Sequence, residues 1–463
     1  MRRLPASLPR ATDLTEFYAN PLAFLAQARA ALGDIFVLRE GAPLFSRDPD
    51  CAGVIAVFGS ANTEAVLTDT DTFGLPISAA EHLLLPKNLI NLNRGLHSLR
   101  GQEHDEHQRL LVHVFNNRGV EVNERIRAGL EKFVRGWAYN DCFCLLEEMR
   151  RLALDVSGLL LFDRRYSESE GLAALAQKYF HMRRSVTSPF HLQNQTTRTE
   201  LIALGGSLDQ AMRKYVKWCR SEVRDPEGFL AEIGCLQVDG EYAFSEDEAV
   251  AHGNVTFMST NEPIAAALTW TLIILSEIPE LQRTLRDELE RSQLLGDLIS
   301  ASSSLPLLNS VVNESLRLFT PNAIMSRITS RETALGRIPL PAQCELMLCP
   351  FVAHRDPKVF PQPTRFSPSR WQSTKASPFE YFPFGAGGHA CIGRSLGIRI
   401  IKAAIAFLVR RYQFLLAFDQ EIDWCIDIIF APANDPIMTL QEPGTIHIRG
   451  GILRGPIAQL FQS

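Results

Sequence analysis

The residues best suited to chemistry lie in one ten-residue stretch, Phe384-Gly-Ala-Gly-Gly-His-Ala-Cys-Ile-Gly393. Glycines at 385, 387 and 388 carry no side chain and accept unusual dihedrals, so this backbone can pass close to something flat and bulky. Cys391 stands just before a helix predicted from Arg394 to Arg411. A helix N-terminus stabilises negative charge, so the position favours thiolate over thiol. His389 lies two residues away and offers a cation or a hydrogen bond to an acidic group. A glycine-rich turn with an incidental buried cysteine shares some of these features. The joint spacing of Phe384, Gly387, Cys391 and Gly393 sets this stretch apart.

That spacing resembles the haem loop of the cytochrome P450 family, Phe-x-x-Gly-x-[His/Arg]-x-Cys-x-Gly, at every fixed position. The resemblance implies haem b (iron protoporphyrin IX) with Cys391 as the iron ligand, and Phe384, His389 and Gly393 around the cofactor. A second match is independent of the first. Glu314 and Arg317 are three apart on a predicted helix and share a face. They resemble the family's Glu-x-x-Arg pair, which Arg370 in Phe366-Ser-Pro-Ser-Arg-Trp371 would complete as a buried structural triad. Gly101-Gln-Glu-His104 resembles the start of a propionate-binding helix, so His104 is expected at haem. Gln108 stands where that helix often has a basic residue, with Arg109 beside it. Arg327 follows Pro321, opens a predicted strand and matches a second propionate ligand.

The sequence departs from the family in its long central helix. The usual pattern there is an acid followed by an alcohol, but this chain reads Ser259-Thr260-Asn261-Glu262-Pro263. The acid survives as Glu262. The alcohol is replaced by Pro263, which withdraws a hydrogen bond from the carbonyl of residue 259 and disfavours helical geometry at Glu262. Two explanations carry equal weight: a tolerated kink, or an altered route for protons in which Thr260, one turn earlier, supplies the hydroxyl.

The elements that must position these residues follow from periodicity. Asp13 to Leu32 reads as a helix, and Ile35–Arg39 and Gly53–Phe58 read as strands. Apolar residues three or four apart, Leu145, Leu146, Met149, Leu152, Val156, Leu159 and Leu160, give a helix with one buried face. Ser245 and Glu248 form a capping box, and the helix they open runs to about Ser276, apolar on nearly every side. Pro279 starts another helix. From Ile338 to Gly393, proline, glycine and short strands dominate. No internal repeat or linker divides the chain. The expectation is one large domain over residues 1–463, mainly α with a minor β region, in the cytochrome P450 fold.

Composition narrows the function. The net charge of −5 is small and both signs are spread along the chain, so no basic stripe for nucleic acid forms. Nine irregularly spaced cysteines argue against a disulfide framework. Cys142 and Cys144, inside an apparently helical stretch, read as buried structural thiols. The charged start lacks an apolar signal core, and the longest apolar run, Ala265 to Leu275, is well short of the ~20 residues that span a bilayer. A cytoplasmic protein without a membrane span is expected.

The resemblance implies an oxygen-activating enzyme acting on a mainly apolar small molecule, aromatic or from specialised metabolism. By family position its pocket is lined near Phe73–Leu92, Phe257–Pro263, Phe319–Ile324 and Ile428–Pro436. No flavin or iron–sulfur domain is read in the sequence, so a separate ferredoxin or flavodoxin is the expected electron donor. Arg394, Arg399 and Lys402 form either its docking face or an ordinary solvated helix surface. Three readings remain: monooxygenation, oxidative coupling of an aromatic substrate without oxygen insertion, and a haem sensor without turnover.

Overall fold

Helices fill most of the chain, and the larger sheet joins strands before residue 75 to strands after residue 324. The computed structural model describes residues 3–46, 48–76, 85–116, 119–187, 195–292, 305–426, 429–445 and 452–461. The central helix, Glu246–Glu277, opens on the expected capping box: Glu248 N–H donates to Ser245 Oγ, and Ser245 N–H donates to Glu248. Between Ile264 and Ser276 every residue is buried, which is what a helix apolar on all sides requires. Trp270 stacks on Phe319 at 4.4 Å and on Phe430 at 5.6 Å. The Leu145–Leu161 helix packs beside it on the buried face read from the sequence. Helices Gly101–Asn116, Ser169–Thr187, Gln195–Glu222, Pro306–Leu318 and Arg394–Arg411 surround this pair.

Three sequence expectations change. The first helix breaks into Thr15–Ala19 and Pro21–Leu32. Pro21 disfavours helical geometry at Asn20, which sits at φ −150° and caps the second piece. Cys142 and Cys144 lie on a short strand, Cys142–Cys144, not in a helix, and both are exposed. Alternation along a strand puts them on one face, here the outer one. Arg327 sits in the middle of its strand, Met325–Thr329, and does not open it.

The larger sheet explains how Arg327 is placed. Its order is Ile35–Glu40, Gly53–Val57, Cys344–Leu348, Met325–Thr329 and Phe73–Gly74. Cys344–Leu348 runs parallel to Gly53–Val57 and antiparallel to Met325–Thr329, with Leu346 opposite Arg327. N-terminal and C-terminal segments therefore share one sheet, and its register fixes which residues reach the interior.

The predicted triad forms, and it is larger than three residues. Glu314 and Arg317 are fully buried and doubly hydrogen-bonded at 2.9 and 2.8 Å. Arg370 Nε donates to the same carboxylate at 2.8 Å, joined by Trp371 Nε1 and the Ser367 N–H. The two guanidinium groups spend their remaining N–H groups on the carbonyls of His354, Pro361, Gln362, Pro363 and Arg365. One carboxylate thus folds the irregular segment that leads into the glycine loop. Glu314→Ala should strand two buried cations and cost about 3–5 kcal/mol. Urea unfolding should show that loss together with poor cofactor incorporation; a variant of normal stability that loses only turnover would contradict a structural role.

Candidate active site

The glycine loop is held by its own backbone and by close neighbours. Cys391 N–H donates to the Phe384 carbonyl at 2.8 Å, and Gly385 and Gly387 both sit at φ +70°. A Cβ on Gly387 would lie 1.9 Å from the Leu67 carbonyl, so only glycine lets the loop seat against the Ser60–Thr68 helix. A Cβ on Gly393 would stand 3.8 Å from the Cys391 sulfur. Gln108, which replaces the expected basic residue, donates its amide to the Gly388 carbonyl at 2.8 Å. It fastens the loop to the Gly101–Asn116 helix without supplying charge.

Cys391 is exposed as a residue, yet surrounding protein removes much of the water from its sulfur. Desolvation raises its thiol pKa, opposed by the Gly393 N–H and Arg394. The helix N-terminus acts in the expected direction, but burial outweighs it. A positive centre at the sulfur would favour the thiolate further.

Beside the loop, donors accumulate without acceptors. Arg327 is 1 % exposed. Its Nη1 donates to the Ser326 carbonyl at 2.8 Å, while Nε and Nη2 are buried and have no partner among the described residues. Burial alone lowers its pKa to about 10. His104, also buried, meets His389 edge to face, with 3.1 Å between Nε2 and Nδ1. Burial, then Arg327 and His104, then Arg100 hold the His389 pKa down at about 3. The acid beside this group, Asp105, is exposed and lies on the far nitrogen of His104 at 3.1 Å. A buried guanidinium with two unmet nitrogens costs several kcal/mol unless an anion arrives. The donor set fits the carboxylates of a flat ligand lying over the loop.

The acid and alcohol positions of the central helix face different ways. Glu262 is buried, and Arg150 of the Leu145–Leu161 helix grips its carboxylate through three hydrogen bonds of 3.0–3.2 Å. His181 Nε2 lies 3.5 Å from the same group. Asn261 is also turned inward, accepting from Ser157 at 2.7 Å. Phe257 and Met258 are buried, whereas Val255, Thr256, Thr260 and Pro263 are half-buried and Ser259 is exposed. The less buried face of the central segment therefore mixes the hydroxyl groups of Thr256, Ser259 and Thr260 with the apolar Val255 and Pro263. Phe319 is a core residue stacked on Trp270. Pro263 leaves the helix continuous. Thr260 Oγ1 donates to the Thr256 carbonyl at 2.7 Å, so at rest its hydroxyl bonds within its own helix.

Residues 77–84 and 428 of the expected lining lie outside the described residues. In the helix that follows the loop, Arg394 is exposed while Arg399 and Lys402 are half-buried. Burial lowers the Lys402 pKa. Sequence reasoning missed Arg150, His181 and Arg100. Arg150 and Glu262 are 112 residues apart, and neither carries a local signal of the pairing.

The cytochrome P450 family profile matches residues 78–429. The chain belongs to the cytochrome P450 family. It is similar to cyclooctatin synthase of Streptomyces melanosporofaciens, 34 % identical over 200 residues, covering 42 % of this chain and 43 % of that protein. It is also similar to mitochondrial sterol 26-hydroxylase of Mus musculus, 35 % identical over 160 residues, covering 32 % of this chain and 30 % of the hydroxylase. The matches thus span less than half the length of these curated relatives. The fold matches a retinoic acid-bound cyanobacterial CYP120A1, with a TM-score of 0.80 at 18 % identity, over 95 % of this chain and all of that one. The P450 fold class expected from the sequence is therefore present, and the family's cofactor is haem b held by a cysteine thiolate. Among the described residues, no single helix is long and apolar enough to cross a membrane.

The unmet donors give a direct test of fit. Arg327→Gln removes the buried charge and should weaken haem retention about ten- to a hundredfold, the worth of a hydrogen bond to a charged group. Haem transfer to an acceptor apoprotein measures it. Unchanged retention would mean that Arg327 meets no anion.

Proposed function

We propose that this protein is a haem-thiolate monooxygenase whose single domain binds a mainly apolar small molecule and inserts one atom of dioxygen into it. The observation that carries the reading is the pairing of Cys391, on a loop that only glycine could build, with the buried cation Arg327 beside it. Cys391 would hold the iron, His104, His389 and Arg327 would hold the propionates, and Phe384 and Gly393 would keep space around the sulfur. When bound, the haem supplies oxygen activation, and electron donation by the thiolate favours cleavage of the O–O bond. The protein's part is to desolvate the sulfur, neutralise the carboxylates and present Thr256, Ser259, Thr260 and Pro263 to the substrate.

Relatives named for cyclooctatin and for a sterol support an apolar substrate of specialised or lipid metabolism. Electrons would arrive from a separate ferredoxin or flavodoxin. Arg394 is the exposed member of the expected docking trio, so it would contribute most to that contact. A cytoplasmic location belongs to the same proposal.

The test is spectral. The reduced carbon monoxide complex should show the red-shifted Soret band of thiolate ligation. Cys391→His should abolish it, while substitution of Cys142, Cys235 or Cys425 should leave it intact. A normal band in Cys391→His would sink the assignment.

One observation favours a second reading, oxidative coupling without oxygen insertion. Pro263 has no hydroxyl to relay protons, and Glu262 is committed to Arg150. A substrate that gives up its own O–H or N–H hydrogen would not need that relay. Pro263→Thr restores both an N–H and a hydroxyl, and labelled oxygen gas separates the readings. In the monooxygenase, label should already appear in the native product, and the variant should raise product formed per reduced cofactor. A native product free of label would establish coupling instead.

A further inference from the structure

We propose that Glu248, His107 and His252 form a proton relay that leads from the protein surface to the hydroxyl-bearing face of the central helix. The inference rests on the oxygen-reducing function proposed above. Monooxygenation, RH + O2 + 2 e− + 2 H+ → ROH + H2O, consumes two protons in every turnover, and they must cross the protein. The route through the acid and alcohol positions is poorly furnished here. Glu262 is held by three hydrogen bonds from Arg150, with His181 at 3.5 Å, and Pro263 carries no exchangeable hydrogen.

A different line of groups begins at the start of the same helix. The Glu248 side chain is 40 % exposed, and its Oε1 lies 3.8 Å from His107 Nε2. His107 Nδ1 and His252 Nε2 are hydrogen-bonded at 2.9 Å, one ring donating to the other. Both rings are buried and packed against Phe244, at 5.1 and 4.9 Å. Positions 248, 252, 256 and 260 are four apart, so they form one row along the helix. The row ends at Thr256 and Thr260, whose own bond links hydroxyl to carbonyl at 2.7 Å. His97, from the Leu96–Ser98 turn, is close enough to His252 to influence its titration. Gly95 brings that turn against Val255 on the same face: a Cβ there would stand 2.6 Å from the valine side chain.

Among the surrounding charges, Glu103 stands beside Glu248 and His107 at the outer end of the line. Arg213 engages Asp209, Glu246 and Asp247. Arg183 acts on His97. Burial, then His107, then His97 hold the His252 pKa at about 3, so the ring is neutral at ordinary pH. A neutral imidazole has one N–H and one lone pair and can accept at one nitrogen while releasing at the other. A proton taken up at Glu248 passes to His107 Nε2 as His107 Nδ1 gives its proton to His252 Nε2, and the His252 Nδ1 proton passes to a water molecule, the inward acceptor on the Thr256–Thr260 side. Each N–H bond broken is matched by one formed, and tautomerisation of the two rings resets the line with no net charge.

The experiment uses the haem-loaded enzyme with its substrate and electron donor. His107→Phe keeps an aromatic ring against Phe244 but cannot relay. Turnover at saturating substrate should fall about tenfold or more, with a larger solvent deuterium isotope effect and an unchanged KM. Unaltered turnover and isotope effect, with the red-shifted carbon monoxide band intact, would overturn the relay and leave the haem-thiolate reading standing. Loss of that band from the wild type would overturn the reading itself.

A second arm is independent of the folding of that variant. The ligand atoms of Glu103, His107 and Glu248 lie within 4.8 Å of one another, so added zinc ion should bind there and block the outer end. Zinc should slow the wild type and not Glu103→Gln, which alters a residue outside the relay. Equal slowing of both proteins, or of neither, would overturn the route.

Discussion

A guanidinium buried ahead of its counter-ion organises this molecule. Arg327 is almost fully buried, with two nitrogens unmet among the described residues, and the rings of His104 and His389 crowd the same region without an acid between them. Folding such a group is costly unless an anion completes it. The protein alone leaves the site short of negative charge at the cradle. Desolvation raises the Cys391 thiol pKa, against the Gly393 N–H and Arg394, so a positive centre at the sulfur would favour the thiolate. A flat ligand carrying carboxylates at its edge and a cation at its centre answers both at once.

Other parts of the fold position the two groups. The mixed sheet sets the register of Arg327 against Leu346. The buried carboxylate of Glu314 gathers Arg317, Arg370, Trp371 and Ser367, and through their carbonyl partners it pins the segment that ends in the glycine loop. His354 continues the same path: its carbonyl accepts from Arg317, and its Nε2 accepts from the Phe382 N–H, two residues before Phe384. The loop is thus positioned from behind by buried polar contacts and from the side by Gln108.

Much of this was legible in the sequence because it is local. The capping box at Ser245, the apolar stripe from Leu145 and the spacing around Cys391 each sit within a few turns of chain. Where the reading failed, the cause lies in distance or in alternation. Cys142 and Cys144 looked helical because they adjoin a strong helical stripe, but pairing with Ile437–Gln441 makes that short segment a strand. The lining near Phe257 was assigned by segment, whereas the helix turns Phe257 and Glu262 into the core and leaves Thr256 and Ser259 less buried. Arg150 was invisible as the partner of Glu262 because tertiary packing alone joins them. The departure at Pro263 was legible at once. Its consequence was not, since the His107–His252 pair brings together residues 145 apart.

Charge complementarity between cradle and ligand is the central claim, and esterified haem tests it without altering the protein. The folded chain should be titrated with haem and with haem dimethyl ester, whose carboxylates are masked while its ring and iron are unchanged. Native haem is expected to bind at least about tenfold more tightly, and to give the thiolate spectrum at equimolar ratio. Equal affinity for the two would show that Arg327, His104 and His389 meet no carboxylate and would contradict the account.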